Sequence, residues 1–309
     1  MKNLWVKNMS VVIVNPSSAG GSTGEVWPQI ASDLRSQFGS FRAVFTTHRG
    51  DAAALASEAA RKGAKLIIAC GGDGTVSEVA NGILSSGKEA ELGILPSGTG
   101  GDFRRTLEIP SRTRDAARVL RTGRSVRIDV GRVSYTDQNG ADATRYFVGV
   151  ASCGMSTKVI ERVKSDDVSF VSALLKTAMR NAPVRLVVQL DDSHEHHLVV
   201  SNLCIANARY FGGGMKIAPD AKLTDGKFDV VSIGDLSAMK IFTSAPRIYT
   251  GSHLSMPEVS HALARKITVR AADRAAEVAL EVDGELPGRL PATFQIIPDA
   301  LRVRVNTHN

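Results

Sequence analysis

The chain has 309 residues, 43% of them hydrophobic and 5% aromatic, with a formal net charge of +7. That length fits two domains or one large one, and the composition supports a packed core rather than disorder. No apolar run reaches the roughly 18–20 residues that cross a bilayer, the first residues lack the apolar core of a secretory signal, and the positive excess suits an anionic partner.

In chain order, Val11–Val14 reads as a first buried strand, since four successive apolar residues suit a parallel sheet covered on both faces. Asn15 to Gly24 follows as a glycine- and serine-rich loop compatible with phosphate, without the Gly-Lys-Ser/Thr ending of a P-loop. An amphipathic helix is predicted over 27–38 and a second strand over 41–45, ending at Thr46. Asp51 opens an Ala-rich helix that runs to Lys62 and stops at Gly63. Leu66 to Cys70 is the next buried strand. Gly71-Gly72-Asp73-Gly74 ends it, and helical character resumes at Thr75, where Thr75 and Glu78 have capping-box spacing. A strand over 92–95 meets a second glycine turn, Ser97-Gly98-Thr99-Gly100-Gly101-Asp102. Alternation of strand and helix to about residue 122 implies a doubly wound α/β domain on a mostly parallel sheet.

Eight arginines between Arg104 and Arg127 read as a solvated helix face, with Arg104 and Arg105 best placed for phosphate. Beyond Gly123 the texture changes. Strands are expected over 125–134, 145–150, 184–190, 197–206, 228–233, 266–270, 278–282, 293–297 and 301–305, with helices near 156–180 and 236–250. This pattern implies an antiparallel β-sandwich, so domains are set at 1–124 and 125–309. Asp191 to His197 lies between two strands and reads as a solvated hairpin turn rather than a metal site. Cys70, Cys153 and Cys204 are expected as buried free thiols of a reducing cytosol. Nucleic acid is not expected as a partner, because neither zinc-finger spacing nor aromatic–basic interleaving occurs.

Each glycine turn joins the carboxyl end of a strand to a helix, the place where open α/β sheets bind ligands and where backbone N–H groups favour phosphate. Asp73, Thr75, Thr99 and Asp102 are therefore expected along one rim, with Asn15 and Thr46 beside them. A carboxylate such as Asp73 next to phosphate needs a cation between them, or else manages a proton, and both point to Mg-nucleotide chemistry.

GGDGTVSE at 71–78 and LPSGTGGDF at 95–103 together resemble the diacylglycerol kinase catalytic family, which also contains sphingosine, ceramide and bacterial lipid kinases. VNPSSAGGSTG at 14–24, TTHRGDA at 46–52, NARYFGGGMKIAPDAKLTDGKFDV at 207–230 and VDGE at 282–285 extend the resemblance over nearly the whole chain, in family order. It implies an NAD-kinase-like α/β domain followed by a β-sandwich, with about residues 298–309 packing back on the first domain. It also implies transfer of the γ-phosphate of ATP to the hydroxyl of diacylglycerol or a related lipid. Nucleotide contacts would come from Asn15, Thr46, Gly71, Gly72, Asp73, Gly74, Thr75, Glu78, Ser97, Gly98, Thr99 and Asp102. Similarity assigns Glu285 as proton acceptor, with Asp73 as the rival base. It assigns Mg2+ to the Asp225 carboxylate and the main-chain carbonyls of Lys222 and Lys227.

The implied setting is cytosolic and peripheral to a membrane that supplies the lipid; a homodimer stays open. Two positions depart from the family pattern, Gly101 and Gly149, where Asn is usual. They keep alternatives in view: a ceramide or sphingoid-base kinase, an NAD-kinase-like enzyme with a soluble acceptor, and a non-catalytic lipid or nucleotide sensor.

Overall fold

The computed structural model describes residues 10–98, 100–166, 173, 177 and 183–307. The chain divides into two compact units, one comprising residues 1–129 with 299–309 and the other residues 130–298.

The first unit is built on strands β1 (Val11–Val14), β2 (Arg42–Phe45), β3 (Leu66–Gly71) and β4 (Glu91–Pro96). They pair in parallel in the order β2-β1-β3-β4. Val11 to Val14, Ile67, Ile68, Leu92 and Leu95 are buried, as continuous apolar runs require when both faces of a sheet are covered. Helices α1 (Ser22–Gln37), α2 (Asp51–Arg61), α3 (Asp73–Ser85), α4 (Asp102–Thr106) and α5 (Thr113–Thr122) connect and cover the strands.

The last stretch of the chain adds another strand to this sheet. The end of β14 (Glu285–Val305) pairs in parallel with β4, Arg302 opposite Glu91 and Val303 opposite Leu92. Arg304 fastens it. Its guanidinium meets the buried Glu91 carboxylate twice, at 2.7 and 2.5 Å, and donates to the Leu120 carbonyl at 3.1 Å. The Glu91 hydrogen bond also pushes the Arg304 pKa upward.

The second unit is antiparallel. It contains β6 (Asp142–Phe147), β7 (Val150–Gly154), β8 (Val184–Leu190), β9 (His196–Ala206), β10 (Phe228–Gly234), β11 (Val259–Ala264), β12 (Lys266–Ala271), β13 (Ala279–Val282) and most of β14. The second part of β5 (Arg124–Asp137) pairs with β6. Strand pairing closes on itself in the order β14-β13-β7-β9-β8-β12-β14, so these strands expose no open edge. Phe147, Phe228 and Phe294 fill the interior. Phe147 stacks on Phe228 at 5.5 Å between centroids and meets Phe294 edge-on at 6.3 Å. Helices α6 (Met155–Asp166) and α7 (Ala238–Thr250) complete the unit. The remainder of the helix predicted near 156–180 lies largely outside the described residues.

The α/β domain followed by a sheet-rich sandwich is the expected fold class. Differences are local. Two strands expected over 293–297 and 301–305 are one continuous β14, although Pro298 signals a break. Asp299 takes a φ of 51° there, and its N–H donates to the Asp129 carboxylate. β7 and β11 have no counterpart in the sequence reading. All three cysteines are buried and free, and burial raises the Cys70 and Cys153 thiols to about 12.

Because Arg304 neutralises a buried carboxylate, Arg304→Ala should destabilise the protein by roughly 2–4 kcal/mol in denaturant titrations. A Glu91→Gln, Arg304→Met double variant should recover part of that loss.

Candidate functional site

Register puts the ends of the parallel strands in one row. Val14 lies opposite Phe45 and Cys70, and Cys70 lies opposite Leu95. The next residues, Asn15, Thr46, Gly71 and Pro96, therefore share one rim. Asn15 Nδ2 donates to Thr75 Oγ1 at 3.1 Å, and Thr46 Oγ1 approaches Asn15 Oδ1 at 3.5 Å. Asn15 thus links two other sequence-predicted contact residues, Thr46 and Thr75, with Thr75 buried in the first turn of α3.

The two glycine turns are in direct contact. A Cβ added at Gly98 would lie 2.5 Å from the Gly72 Cα, closer than non-bonded carbon atoms can approach. It would also lie 3.4 Å from the Ser18 hydroxyl. Asp73 is the fastening. Its Oδ2 accepts the N–H groups of Gly101 at 2.6 Å and Asp102 at 3.0 Å, and its Oδ1 accepts that of Phe103 at 3.1 Å. Asp73 opens α3, yet its carboxylate caps α4 of the second turn. These three bonds assign it a positioning job and place its oxygens against the chain rather than in the open.

Gly71, Gly72, Gly98, Gly101 and Arg104 line a small depression at this junction. Arg104 is the cation there. Burial, and then the neighbouring Arg105, lower its pKa. Arg105 itself pairs with the buried Asp102 at 2.7 Å. Gly101 sits at φ 76°, a conformation that Asn tolerates among side-chain residues, so the glycine keeps the turn that the usual Asn would make. The Ser97 hydroxyl meets Thr23 Oγ1 at 2.7 Å, tying the first loop to the second turn. Thr99 lies outside the described residues.

Glu78 is a correction. No side chain caps α3, which starts two residues before Thr75. The Glu78 carboxylate instead accepts the N–H groups of Gly50 at 3.0 Å and Ala52 at 3.2 Å at the start of α2. It braces the start of α2, where a helix N-terminus and a carboxylate attract each other.

In the second unit, Glu285 follows a two-residue turn between β13 and β14. Val282 pairs with Glu285, and Asp283 and Gly284 take φ values of 48° and 82°, as a type I′ hairpin requires. Side chains pin this turn from two directions. Asp283 accepts the N–H groups of Val148 at 3.1 Å and Gly149 at 2.9 Å. A Cβ at Gly149 would meet Asp283 Oδ1 at 2.7 Å, so the glycine here admits the aspartate. Glu281, itself buried, accepts the Gly284 N–H at 2.6 Å and, on its other oxygen, the Ser152 hydroxyl. Ser152 contacts Ser156 Oγ at 2.7 Å, and Ser156 donates to Asn202 at 2.9 Å. Glu281, Ser152, Ser156 and Asn202 had no place in the sequence reading.

Ser156 and Asn202 also line an apolar pocket of this unit, walled by Met155, Val159, Phe211, Met215, Ile241 and Ile248. It encloses about 760 Å³, part of it open to solvent. His253 stands in the wall, its Nε2 at 3.0 Å from the Ile217 carbonyl. Burial lowers its pKa from the usual 6.5.

Asp225 is exposed, and its Oδ1 accepts the Lys227 N–H at 3.1 Å. Asp220 and Asp225 lie close enough to raise the pKa of Asp229, whose burial is the larger cause. Lys222 is exposed as well. Oxygen donors of this kind suit a hard divalent cation. Among the described residues no group of three or more His, Cys, Asp or Glu is gathered to hold a metal.

Residues 9–133 match the diacylglycerol kinase catalytic domain, and residues 149–305 match the YegS C-terminal NAD kinase beta sandwich-like domain. A diacylglycerol kinase of Staphylococcus epidermidis is 31% identical over 270 residues, covering 84% of this chain and 80% of that protein. A diacylglycerol kinase of Mycobacterium tuberculosis is 31% identical over 228 residues, covering 71% of each. The chain belongs to the diacylglycerol kinase family. The crystal structure of a putative diacylglycerol kinase from Bacillus anthracis shares the family fold, with a TM-score of 0.77 at 24% identity over 98% of this chain and 99% of that one. Yeast NADH kinase complexed with NADH shares the fold more distantly, at a TM-score of 0.54, 9% identity, and 98% and 85% coverage. Family membership makes phosphotransfer the chemistry against which the two turns and the Glu285 hairpin are to be read.

Two outcomes test this geometry. Gly98→Ala should cost about 1–3 kcal/mol in denaturant titrations, because its methyl would collide with backbone rather than with a movable side chain. For His253, the folded state favours the neutral ring. As pH falls through the ordinary histidine value the unfolded chain takes up a proton that the folded chain resists, so stability falls with acidity. Denaturation midpoints between about pH 7.5 and pH 5.5 should drop less for His253→Gln than for the parent protein.

Proposed function

We propose that the protein is an ATP-dependent lipid kinase that phosphorylates the free hydroxyl of diacylglycerol or a closely related lipid alcohol. The observation carrying this reading is the contact between the Gly72 and Gly98 turns, held by Asp73. Adjacent glycine turns at strand ends offer backbone N–H groups to phosphate without intervening side chains. Asn15, Thr46 and Thr75 extend the same rim, and Arg104 adds a positive charge. The apolar pocket of the second unit favours an acyl-bearing acceptor over a soluble one, because a polar acceptor gains nothing from such walls.

In this mechanism the first unit binds and orients ATP. Glu285 accepts the proton of the lipid hydroxyl as its oxygen bonds to the γ-phosphorus. The bond from that phosphorus to the β–γ bridging oxygen breaks, and ADP leaves. Phosphoryl transfer of this kind depends mainly on positioning and charge neutralisation. Asp283 and Glu281 would hold the Glu285 turn in place, and Asp73 would hold the second phosphate turn in place. Mg2+, when bound, supplies positive charge or structural support through oxygen donors such as Asp225. The lipid acceptor implies a protein that works at a membrane surface.

A panel of acceptors assayed with ATP tests the reading. Turnover with long-chain diacylglycerol, and weaker turnover with ceramide or sphingosine, is expected; turnover with NAD and none with lipid would overturn it. Glu285→Gln should lower kcat by about 10²–10⁴ with ATP affinity unchanged. Normal turnover in that variant would remove Glu285 from the base role.

A further inference from the structure

Helix α7 is apolar on two opposite sides. Ile241, Ala245 and Ile248 face inward and line the pocket described above. Met239, Phe242, Pro246 and Tyr249 recur at the spacing of a single helical face, and that face looks outward. Met239 is 72% exposed, Phe242 61% and Tyr249 42%. These are three of the seven large hydrophobic side chains exposed among the described residues, gathered on one short helix. A soluble helix normally turns charged or polar residues to water on this side.

The helix's own charged side chains, Lys240 and Arg247, are both basic. Arg247 is exposed beside the apolar face. The Lys216 side chain runs past the helix end, 3.5 Å from where a Cβ at Gly251 would stand. Lys240, at the other end, pairs with Glu258. An outward apolar strip bordered by arginine and lysine is the composition of a helix that lies in a membrane interface, with its apolar side chains among acyl chains and its cations at anionic headgroups.

We propose that the outward face of α7 is a docking surface for an anionic lipid bilayer, and that the protein meets the membrane through Met239, Phe242 and Tyr249. The inference rests on the lipid-kinase reading for its choice of occupant. A long-chain acceptor dissolves only in the bilayer, and the helix that walls its pocket is the one that presents apolar residues outward. Contact there places pocket and membrane on two sides of a single turn-by-turn amphipathic element. It also accounts for exposed aromatic and methionine side chains that no part of the chain covers among the described residues.

The test is co-sedimentation of the full chain with phosphatidylcholine vesicles, with and without phosphatidylglycerol. Binding is expected to strengthen with phosphatidylglycerol and to weaken with salt. The triple variant Met239→Ser, Phe242→Ser, Tyr249→Ser should bind at least tenfold more weakly, and Arg247→Glu should lose affinity only for the anionic vesicles. None of these residues lines the pocket, so turnover of a short-chain, water-dispersed diacylglycerol should be unchanged in the triple variant while turnover of long-chain lipid in vesicles falls. Undiminished vesicle binding by the triple variant would overturn the proposal. So would a dimer of the parent protein that the triple variant disperses, since the face would then belong to a second copy. Vesicle binding that depends on α7, without turnover of any lipid, would instead count against the kinase reading and leave the docking surface standing.

Discussion

The carboxylate of Asp73 is the constraint on which the first unit's site depends. It belongs to the turn after β3 but hydrogen-bonds three consecutive N–H groups of the turn after β4. A charged acceptor taking several backbone donors is among the stronger polar contacts available to a protein. It draws the second turn against the first until Gly72 and Gly98 touch, and at that distance only glycine fits. Two separate loops become one surface of main-chain donors. An aspartate that would repel phosphate if it pointed outward instead has its charge distributed over the backbone of the neighbouring loop.

The second unit repeats the logic with different parts. Its Asp-Gly hairpin carries Glu285 and is held by Asp283 through the Val148 and Gly149 amides, and by Glu281 through the Gly284 amide. Both glycines that depart from the family pattern are accommodated in this way. Gly101 sits in a left-handed turn that needs no side chain, and Gly149 leaves room for the Asp283 oxygen. Neither position costs the site its main-chain geometry, which favours an active enzyme over a degenerate sensor.

Much of this was legible in the residues. Unbroken apolar runs such as Leu66–Cys70 identify buried parallel strands, and glycines at their ends mark where backbone is exposed. Parallel register then puts Asn15, Thr46 and Gly71 in one row. Contacts between elements distant in sequence were not legible. Capping-box spacing assigned Glu78 to its own helix, whereas the carboxylate reaches α2, which no local pattern encodes. Between Leu280 and Val282, Glu281 carries no local signal of burial. Its face is covered as well, and Glu281 lies opposite Ser152 of β7. That strand, Val-Ala-Ser-Cys-Gly, went unread because small and polar residues give it no apolar stripe. Two strands were expected over 293–297 and 301–305 where a continuous one runs through Pro298 and Asp299, the latter at a φ of 51°.

The central claim is that both glycine turns grip one triphosphate. Backbone amide resonances of the full chain, followed during titration with ATP, test it most directly. The account predicts that Gly72, Gly74 and Gly98 shift together and yield a single dissociation constant. Saturating nucleotide that moves only one of the two turns, or neither, would contradict it.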